Sequence, residues 1–237
     1  MAKRPIFAIL SLIFVAGAVL LEFFVILAGA INGNPINQVY FLEVDRSSAQ
    51  DGSQLTHWTY WNSCQAAGGG LDTLCGVSPA YPFDPQNNFG GSQGIPAAFM
   101  GTNKFYYESR IMFGFAIVAL VFSVGSLALG VLALCSRIGS FLSAITAFSA
   151  MIFQTAVAAL MTAAFVEGRN IFNGNNQAAS LGRYAFGFNW GAMAALFLAS
   201  IMFCLGGTMS KDSSRRSKDA KNRGSFVNGE TSSFTRA

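Results

Sequence analysis

Long uninterrupted runs of apolar residues are the main pattern along the chain. Four of them reach roughly 20 residues or more, the length that an α-helix needs to cross about 30 Å of hydrocarbon. The four runs cover residues 6–30, 111–134, 138–166 and 184–205. The pattern predicts an all-α membrane protein whose four transmembrane helices form one membrane domain over residues 1–209.

The first apolar run has two interpretations. Lys3 and Arg4 precede it and small residues end it at 28–30, as in a cleaved signal peptide. The run is, however, about 25 residues long, whereas the apolar part of a signal peptide has about 7 to 15. It also carries Glu22. We therefore predict a helix that is retained.

The distribution of charge predicts the orientation in the membrane. The two termini and the turn between the second and third spans carry ten basic and three acidic residues, whereas the opposite side carries five basic and seven acidic residues. Basic residues concentrate on the cytoplasmic side of membrane proteins. Both termini are therefore predicted to be cytoplasmic, and residues 31–110 form an extracellular loop.

Several short stretches of this loop favour β-strands. They are residues 36–45, 55–61 and 74–77. We expect them to form a small antiparallel sheet on the outer face of the membrane. The polar, Gly-rich stretch 86–94 is expected to be mobile.

Cys64 and Cys75 lie in the same loop with ten residues between them. On an oxidising side of the membrane they can form a disulfide. A bond closing so short a loop stabilises a fold by about 3 kcal/mol.

Three residues with a charged or amide side chain interrupt the apolar runs: Glu22, Gln154 and Asn189. Such residues face the interior of a helix bundle by default, because a charge in hydrocarbon costs several kcal/mol. One interpretation is a structural bond between a protonated Glu22 and Gln154. The other is an ion or proton pathway through all three.

Small residues within the spans predict helix contacts, since they let backbones approach closely. The candidates are Gly114, Gly125, Gly130, Gly187 and Gly191. The alternative is that glycine is simply frequent in membrane helices.

Composition excludes several function classes. The chain is 52% hydrophobic and only 11% charged, less than half the charged fraction of an ordinary soluble domain. His57, the one histidine, has no carboxylate at catalytic or metal spacing and is expected to be a loop residue. We predict no metal site, cofactor, nucleic-acid partner or enzymatic activity.

Residues 210–237 differ sharply from the rest and are predicted to be a disordered cytoplasmic tail. Their basic cluster is expected to contact anionic lipid of the inner leaflet. An alternative is that it only sets the topology. The residues of this cluster are Lys211, Arg215, Arg216, Lys218, Lys221 and Arg223.

Two motifs in the outer loop carry a family resemblance. Trp61-x-x-Cys64 followed by Cys75 resembles the signature of claudins and their relatives. The wider frame 57–64 and the phrase 75–85 resemble the fungal Sur-seven/PalI family of four-span plasma-membrane proteins. The motif residues are Trp58, Trp61, Ser78, Pro79, Tyr81, Pro82, Phe83, Asp84 and Pro85.

The resemblance implies a claudin-like left-handed four-helix bundle whose extracellular sheet is closed by a Cys64–Cys75 disulfide. It also implies eisosome-associated patches in the plasma membrane and a role in membrane organisation, cell-wall formation and endocytosis. Implied partners are further copies of the chain, eisosome scaffold proteins, and sterol or sphingolipid. Trp58 and Trp61 are interpreted as interfacial anchors or sheet core rather than as a contact surface.

Two function classes remain. A structural organiser would self-associate laterally and engage lipid through its tail. A channel or transporter subunit would need Glu22, Gln154 and Asn189 to line a wetted path. A dry bundle interior favours the organiser.

Overall fold

A computed structural model of the protein describes residues 3–30, 33, 35–45, 55–67, 71–74, 78–89 and 94–208; side chains are not described at 3–5, 64–67, 71–74, 135 and 137. The elements follow in the order α1 (Lys3–Leu27), β1 (Leu42–Asp45), β2 (Leu55–Trp58), β3 (Ser63–Ala67), β4 (Leu71–Leu74), α2 (Pro85–Asn88), α3 (Lys104–Cys135), α4 (Arg137–Gly174), β5 (Ala179–Leu181) and α5 (Arg183–Thr208). Single 3₁₀ turns cover Ile36–Gln38 and Ala97–Phe99.

Four of the described helices, α1, α3, α4 and α5, are long and apolar enough to cross a membrane. This confirms the predicted fold class of an all-α membrane protein with a small sheet. Two helices are longer than their apolar runs, since α3 begins at residue 104 and α4 continues to residue 174. Their extensions carry charge, and Lys104 of α3 pairs with Glu167 of α4 at 2.5 Å.

The four long helices pack in a closed ring. α1 contacts α3 and α5, and α4 contacts the same two helices from the opposite side of the ring. Ser136 alone separates α3 from α4, and its Oγ accepts a hydrogen bond from the Gly139 N–H at 3.0 Å. This cap satisfies one of the free N–H groups in the first turn of α4, so the chain can reverse direction in a single residue.

A five-stranded antiparallel sheet lies at the other end of the α3–α4 hairpin. The strand order is β4-β3-β2-β1-β5. This end of the bundle is the one that the charge pattern predicts to be extracellular, and we call it the outer end. β5 comes from the connection between α4 and α5 and pairs with β1, with Leu42 opposite Leu181. The sheet therefore joins the two outer connections.

Gly182 makes the pairing of β5 possible. Its N–H donates to the Phe41 carbonyl oxygen at 3.1 Å. A Cβ atom at this position would lie 1.7 Å from the carbonyl oxygen of Tyr40. Only glycine can therefore link β5 to α5 so close to the main chain that precedes β1.

The predicted strands differ from the structure in their extent. Within 36–45 only Leu42–Asp45 is a strand, because Pro35 is followed by a 3₁₀ turn. β3 and β5 were not predicted as strands. β4 covers 71–74, and residues 75–77 of the predicted stretch 74–77 lie outside the described part. The stretch 86–94 begins within α2, whose N-cap is Asp84, and residues 90–93 lie outside the described part.

Candidate functional site

The phrase 78–85 runs beside the turn that follows β2. The N–H of Ser78 donates to the Trp61 carbonyl oxygen and that of Tyr81 to the Tyr60 carbonyl oxygen, each at 2.9 Å. Ala80 between them has a φ of 54°, in the left-handed region. These bonds hold the motif against the sheet and direct the following residues toward the helices.

Phe83 is the centre of an aromatic cluster at the outer end. Its side chain is 1% exposed, and its ring lies 5.4 Å from Trp58 of β2, 5.5 Å from Phe105 of α3 and 5.0 Å from Phe165 of α4, measured between ring centroids. Its N–H donates to Ser109 Oγ at 2.9 Å. Phe83 therefore joins the sheet to both helices.

The end of the motif stabilises a local turn. Asp84 Oδ2 accepts from the Asn87 side chain at 2.6 Å, and its Oδ1 accepts from the Asn87 N–H at 3.4 Å. Pro85 occupies the first helical position, which suits proline. The Asn88 side chain donates to the Pro82 carbonyl oxygen at 3.0 Å. The motif residues Pro82 to Pro85 thus act through packing and capping.

The tryptophans of the motif occupy different positions. Trp58 is 1% exposed and belongs to the core of the sheet, as one of the two interpretations predicted. Trp61 is partly buried, and its indole N–H donates to the Ile26 carbonyl oxygen at 2.5 Å. Next to it, Thr59 lies so close to Gly29 that a Cβ on that glycine would be 2.0 Å from the Thr59 hydroxyl oxygen. The sheet therefore packs against the outer end of α1.

The predicted disulfide lies outside the described residues, because Cys75 and the side chain of Cys64 are not described. Their neighbours are described, and Gln65 of β3 pairs with Leu74 of β4. This pairing supports the bond, which stays a prediction.

Glu22, Gln154 and Asn189 are all buried in the bundle, but their bonds differ from those expected. Glu22 Oε1 accepts from Ser123 Oγ at 3.0 Å. Gln154 donates instead to Asn189 Oδ1 at 2.6 Å. The predicted Glu22–Gln154 bond is wrong, since α1 and α4 lie on opposite sides of the ring and each finds its partner on a neighbouring helix. We call Glu22, Ser123, Gln154 and Asn189 the polar layer.

Buried and mostly apolar side chains cover the polar layer on both sides. One helical turn toward the inner end lies a cluster of fully buried residues, which are Ala18, Ala150, Ala192 and Leu196. Toward the outer end lie Val25, Val157 and Met161, which belong to the same core cluster as Trp58 and Phe83. On α3 the inner side carries a polar residue, because Ser126 is also fully buried and donates to the Ser143 carbonyl oxygen at 3.2 Å. The polar layer is thus enclosed between two packed layers, the inner one of which contains serine.

His57 is a site that the sequence interpretation missed. It is 0% exposed, lies opposite Glu43 in the β1–β2 register, and its Nε2 is 2.8 Å from Glu43 Oε2. Its ring stacks on Tyr40 at 3.9 Å. Burial, and then the Glu43 carboxylate, raises the pKa of Tyr40. The expectation of a loop residue without a carboxylate partner is wrong. His57 lies in β2, and its partner Glu43 lies 14 residues earlier, in the neighbouring strand β1.

The predicted glycine contacts are right for two positions. A Cβ on Gly130 would lie 2.7 Å from Leu12, and one on Gly191 would lie 3.4 Å from Leu21, so both glycines lie at helix contacts. Gly114, Gly125 and Gly187 have open space at this position. The basic tail residues 211–223 lie outside the described part of the chain.

These features define a four-span membrane protein whose outer sheet and helix bundle share one aromatic core. Residues 7–202 match the sequence model of the SUR7/PalI family. The chain is 32% identical to Protein SUR7 of Candida albicans, in an alignment covering 99% of this chain and 88% of that protein. It is 33% identical to Protein SUR7 of Saccharomyces cerevisiae, over 82% of this chain and 64% of that protein. The chain belongs to the SUR7/PalI family.

A further relative is described as an uncharacterized plasma membrane protein of Saccharomyces cerevisiae. It is 28% identical over 85% of this chain and 68% of its own length. Together with the four apolar helices, this relative supports a multi-pass protein of the plasma membrane.

Proposed function

We propose that the protein is a structural organiser of fungal plasma-membrane microdomains of the eisosome-associated type. In this role it supports membrane organisation, cell-wall formation and endocytosis through lateral self-association and contact with lipid. Both termini face the cytoplasm, where the basic tail meets anionic lipid and scaffold proteins of the eisosome. The role requires no catalysis.

The enclosed polar layer is the observation that carries this proposal. A transport path needs polar groups that continue from one side of the membrane to the other. Here Ala18, Ala150 and Ala192, all 0% exposed, pack on the inner side of the layer, and the hydroxyl of the buried Ser126 is bonded to a main-chain carbonyl oxygen of α4. A packed interior leaves the outer surface of the bundle, the sheet and the tail as the parts that can act on other molecules.

The shared aromatic core supports the same proposal. Phe41, directly before β1, lies 5.2 Å from Phe165 of α4, and Trp58 of β2 lies 6.2 Å from Phe172 of α4, measured between ring centroids. A sheet held in this way cannot turn independently of the bundle. It therefore presents a fixed surface to neighbouring copies and to the cell wall.

Imaging in a walled fungal cell tests the proposed function. A fluorescent fusion expressed at native abundance is expected to form immobile cortical patches that do not recover after photobleaching. A variant with the six basic residues of 211–223 changed to glutamine is expected to reach the membrane but to lose its patch distribution. A uniform, mobile signal from the unmodified chain contradicts the proposal.

A channel or transporter subunit is the second candidate, favoured by one observation. Glu22 Oε2 is buried and has no hydrogen-bond partner within the described part of the chain. Ion and proton flux into liposomes, with Glu22→Gln as the matched control, separates the two functions. The organiser predicts no flux for either protein, whereas flux that Glu22→Gln abolishes would establish the channel.

A further inference from the structure

A groove on the membrane-facing surface lies between α4 and α5. Its volume is about 460 Å³. Phe141, Ile145 and Phe148 form the α4 wall, and Phe197, Ile201 and Cys204 lie along the α5 wall. These side chains are largely exposed and, apart from the thiol, apolar. The groove is therefore open to lipid along its length.

The groove lies within one leaflet of the membrane. Phe141 lies four residues from the start of α4 and Phe148 lies eleven residues from it, so the α4 wall extends from about 6 Å to about 16 Å along the helix. One leaflet contributes about 15 Å of hydrocarbon. On the other wall, Leu205 lies three residues before the end of α5. The groove thus begins near the inner end and covers about 10 Å, or two thirds, of the hydrocarbon of a single leaflet.

Positive charge marks the inner end of the α4 wall. α4 begins at Arg137 and has no acidic residue in its first turn. The N-terminal end of a helix also carries a partial positive charge. In the sequence, α5 is followed by Lys211, Arg215 and Arg216. An anionic group at the mouth of the groove would meet the positive start of α4.

We propose that this groove binds one anionic phospholipid of the inner leaflet, with an acyl chain along α4 and α5 and the headgroup beside Arg137. The inference rests on the cytoplasmic placement of the termini proposed above. A second copy of the chain in the same orientation suits the groove less well, because it would bring a second positive start of α4 to the same depth. Like charges brought together at the mouth of the groove repel each other.

Quenching of tryptophan fluorescence by brominated lipids tests the proposal on the full chain in vesicles. Phe148→Trp places the probe in the groove, and Val124→Trp places it on α3, eleven residues from the inner end of that helix and 43% exposed to lipid. Both variants also carry Trp190→Phe, which removes a native lipid-facing tryptophan. The quenchers are brominated phosphatidylserine and brominated phosphatidylcholine at equal mole fractions.

We expect phosphatidylserine to bind about fivefold more tightly than phosphatidylcholine at position 148, and both to bind equally at position 124. Adding Arg137→Gln should remove most of the preference at 148. If Phe148→Trp does not fold, Ile145→Trp with Ala128→Trp as its control gives the same comparison at a shallower depth.

Two results would overturn the proposal. The first is an equal lipid preference at the groove and control positions, which would show a general attraction of the basic surface. The second is no quenching at 148 by either lipid, which would mean that another copy, or an acyl chain on Cys204, fills the groove. Neither result depends on patch formation in cells. The lipid-binding proposal can therefore fail while the proposed organiser function stands, and the reverse.

Discussion

The indole N–H of Trp61 donates a hydrogen bond to the main-chain carbonyl oxygen of Ile26 in the last turn of α1. Carbonyl groups in the last turn of a helix have no partner within the helix. Trp61, in the turn that follows β2, supplies a hydrogen-bond donor to one of these carbonyl groups. The outer sheet therefore caps the first transmembrane helix. A residue of the family motif therefore acts at the junction of sheet and bundle.

Trp61→Phe should lower stability by about 1–2 kcal/mol, because it leaves the Ile26 carbonyl without this donor while keeping an aromatic ring. Trp190→Phe is the matched control, since Trp190 is 42% exposed on the lipid-facing surface of α5. Thermal unfolding of the purified protein in detergent measures both. Equal changes in the two variants would show that the Trp61 bond does not stabilise the protein.

Gly168→Ala should destabilise the outer end by about 1–3 kcal/mol through overpacking. A Cβ atom at 168 would lie 2.8 Å from the ring of Phe83, which has little room to move because four other rings surround it. Gly187→Ala is the control, since its Cβ meets no atom within 4 Å. It should be neutral or stabilising by up to about 1 kcal/mol.

The same pair offers a rescue experiment. Phe83→Leu removes the part of the ring nearest to Gly168, so the double variant with Gly168→Ala should lose less stability than the sum of the single variants. Strict additivity would mean that the two positions do not interact.

Cys64→Ser and Cys75→Ser should each reduce delivery to the cell surface to the same extent. The double variant should be no worse, because either single change already removes the disulfide and its stabilisation of about 3 kcal/mol. Surface labelling of intact cells compares the three variants. A clearly additive loss would show that the two cysteines are not bonded to each other.

Tyr60 makes the outer core sensitive to alkaline pH. Burial raises the pKa of its phenol above the ordinary value of 10, and its hydroxyl has no hydrogen-bond partner among the described residues. The folded state thus binds the proton more tightly than the unfolded state, so stability is complete below about pH 10 and falls as the pH rises further.

Tyr60→Phe should therefore match or exceed the wild-type stability at pH 7 and lose less of it between about pH 10 and 11. Denaturant unfolding at several pH values measures the effect. Tyr40→Phe is a second test, because burial also raises the pKa of Tyr40. If the wild type and both variants lost the same stability at alkaline pH, the loss could not be assigned to these two phenols.

The membrane-spanning segments were predictable from the sequence because lipid imposes a simple length of apolar chain. The ends of the four long helices were not predictable in this way. α3 and α4 continue past the apolar runs into charged residues, where Lys104 and Glu167 pair across the two helices outside the hydrocarbon. A hydropathy pattern ends at the membrane surface, whereas the helices end where the sheet rests on them.

The outer site was only partly predictable. The motif located the aromatic residues, but their packing depends on contacts between distant segments, such as Phe83 with Phe165. β5 has three residues and lies in a polar connection, so its strand propensity is weak and its pairing with β1 determines its conformation. The partners of Glu22 and His57 likewise depend on the helix order and on the strand register, which propensity does not encode.

Lateral self-association is the central claim, and energy transfer between donor-labelled and acceptor-labelled copies in vesicles measures it most directly. Transfer should stay well above the value for random encounters as the lipid-to-protein ratio is raised. It should persist in Glu22→Gln, because the polar layer is enclosed within each copy. A fall to the random value on dilution, with the protein still folded, would contradict the account.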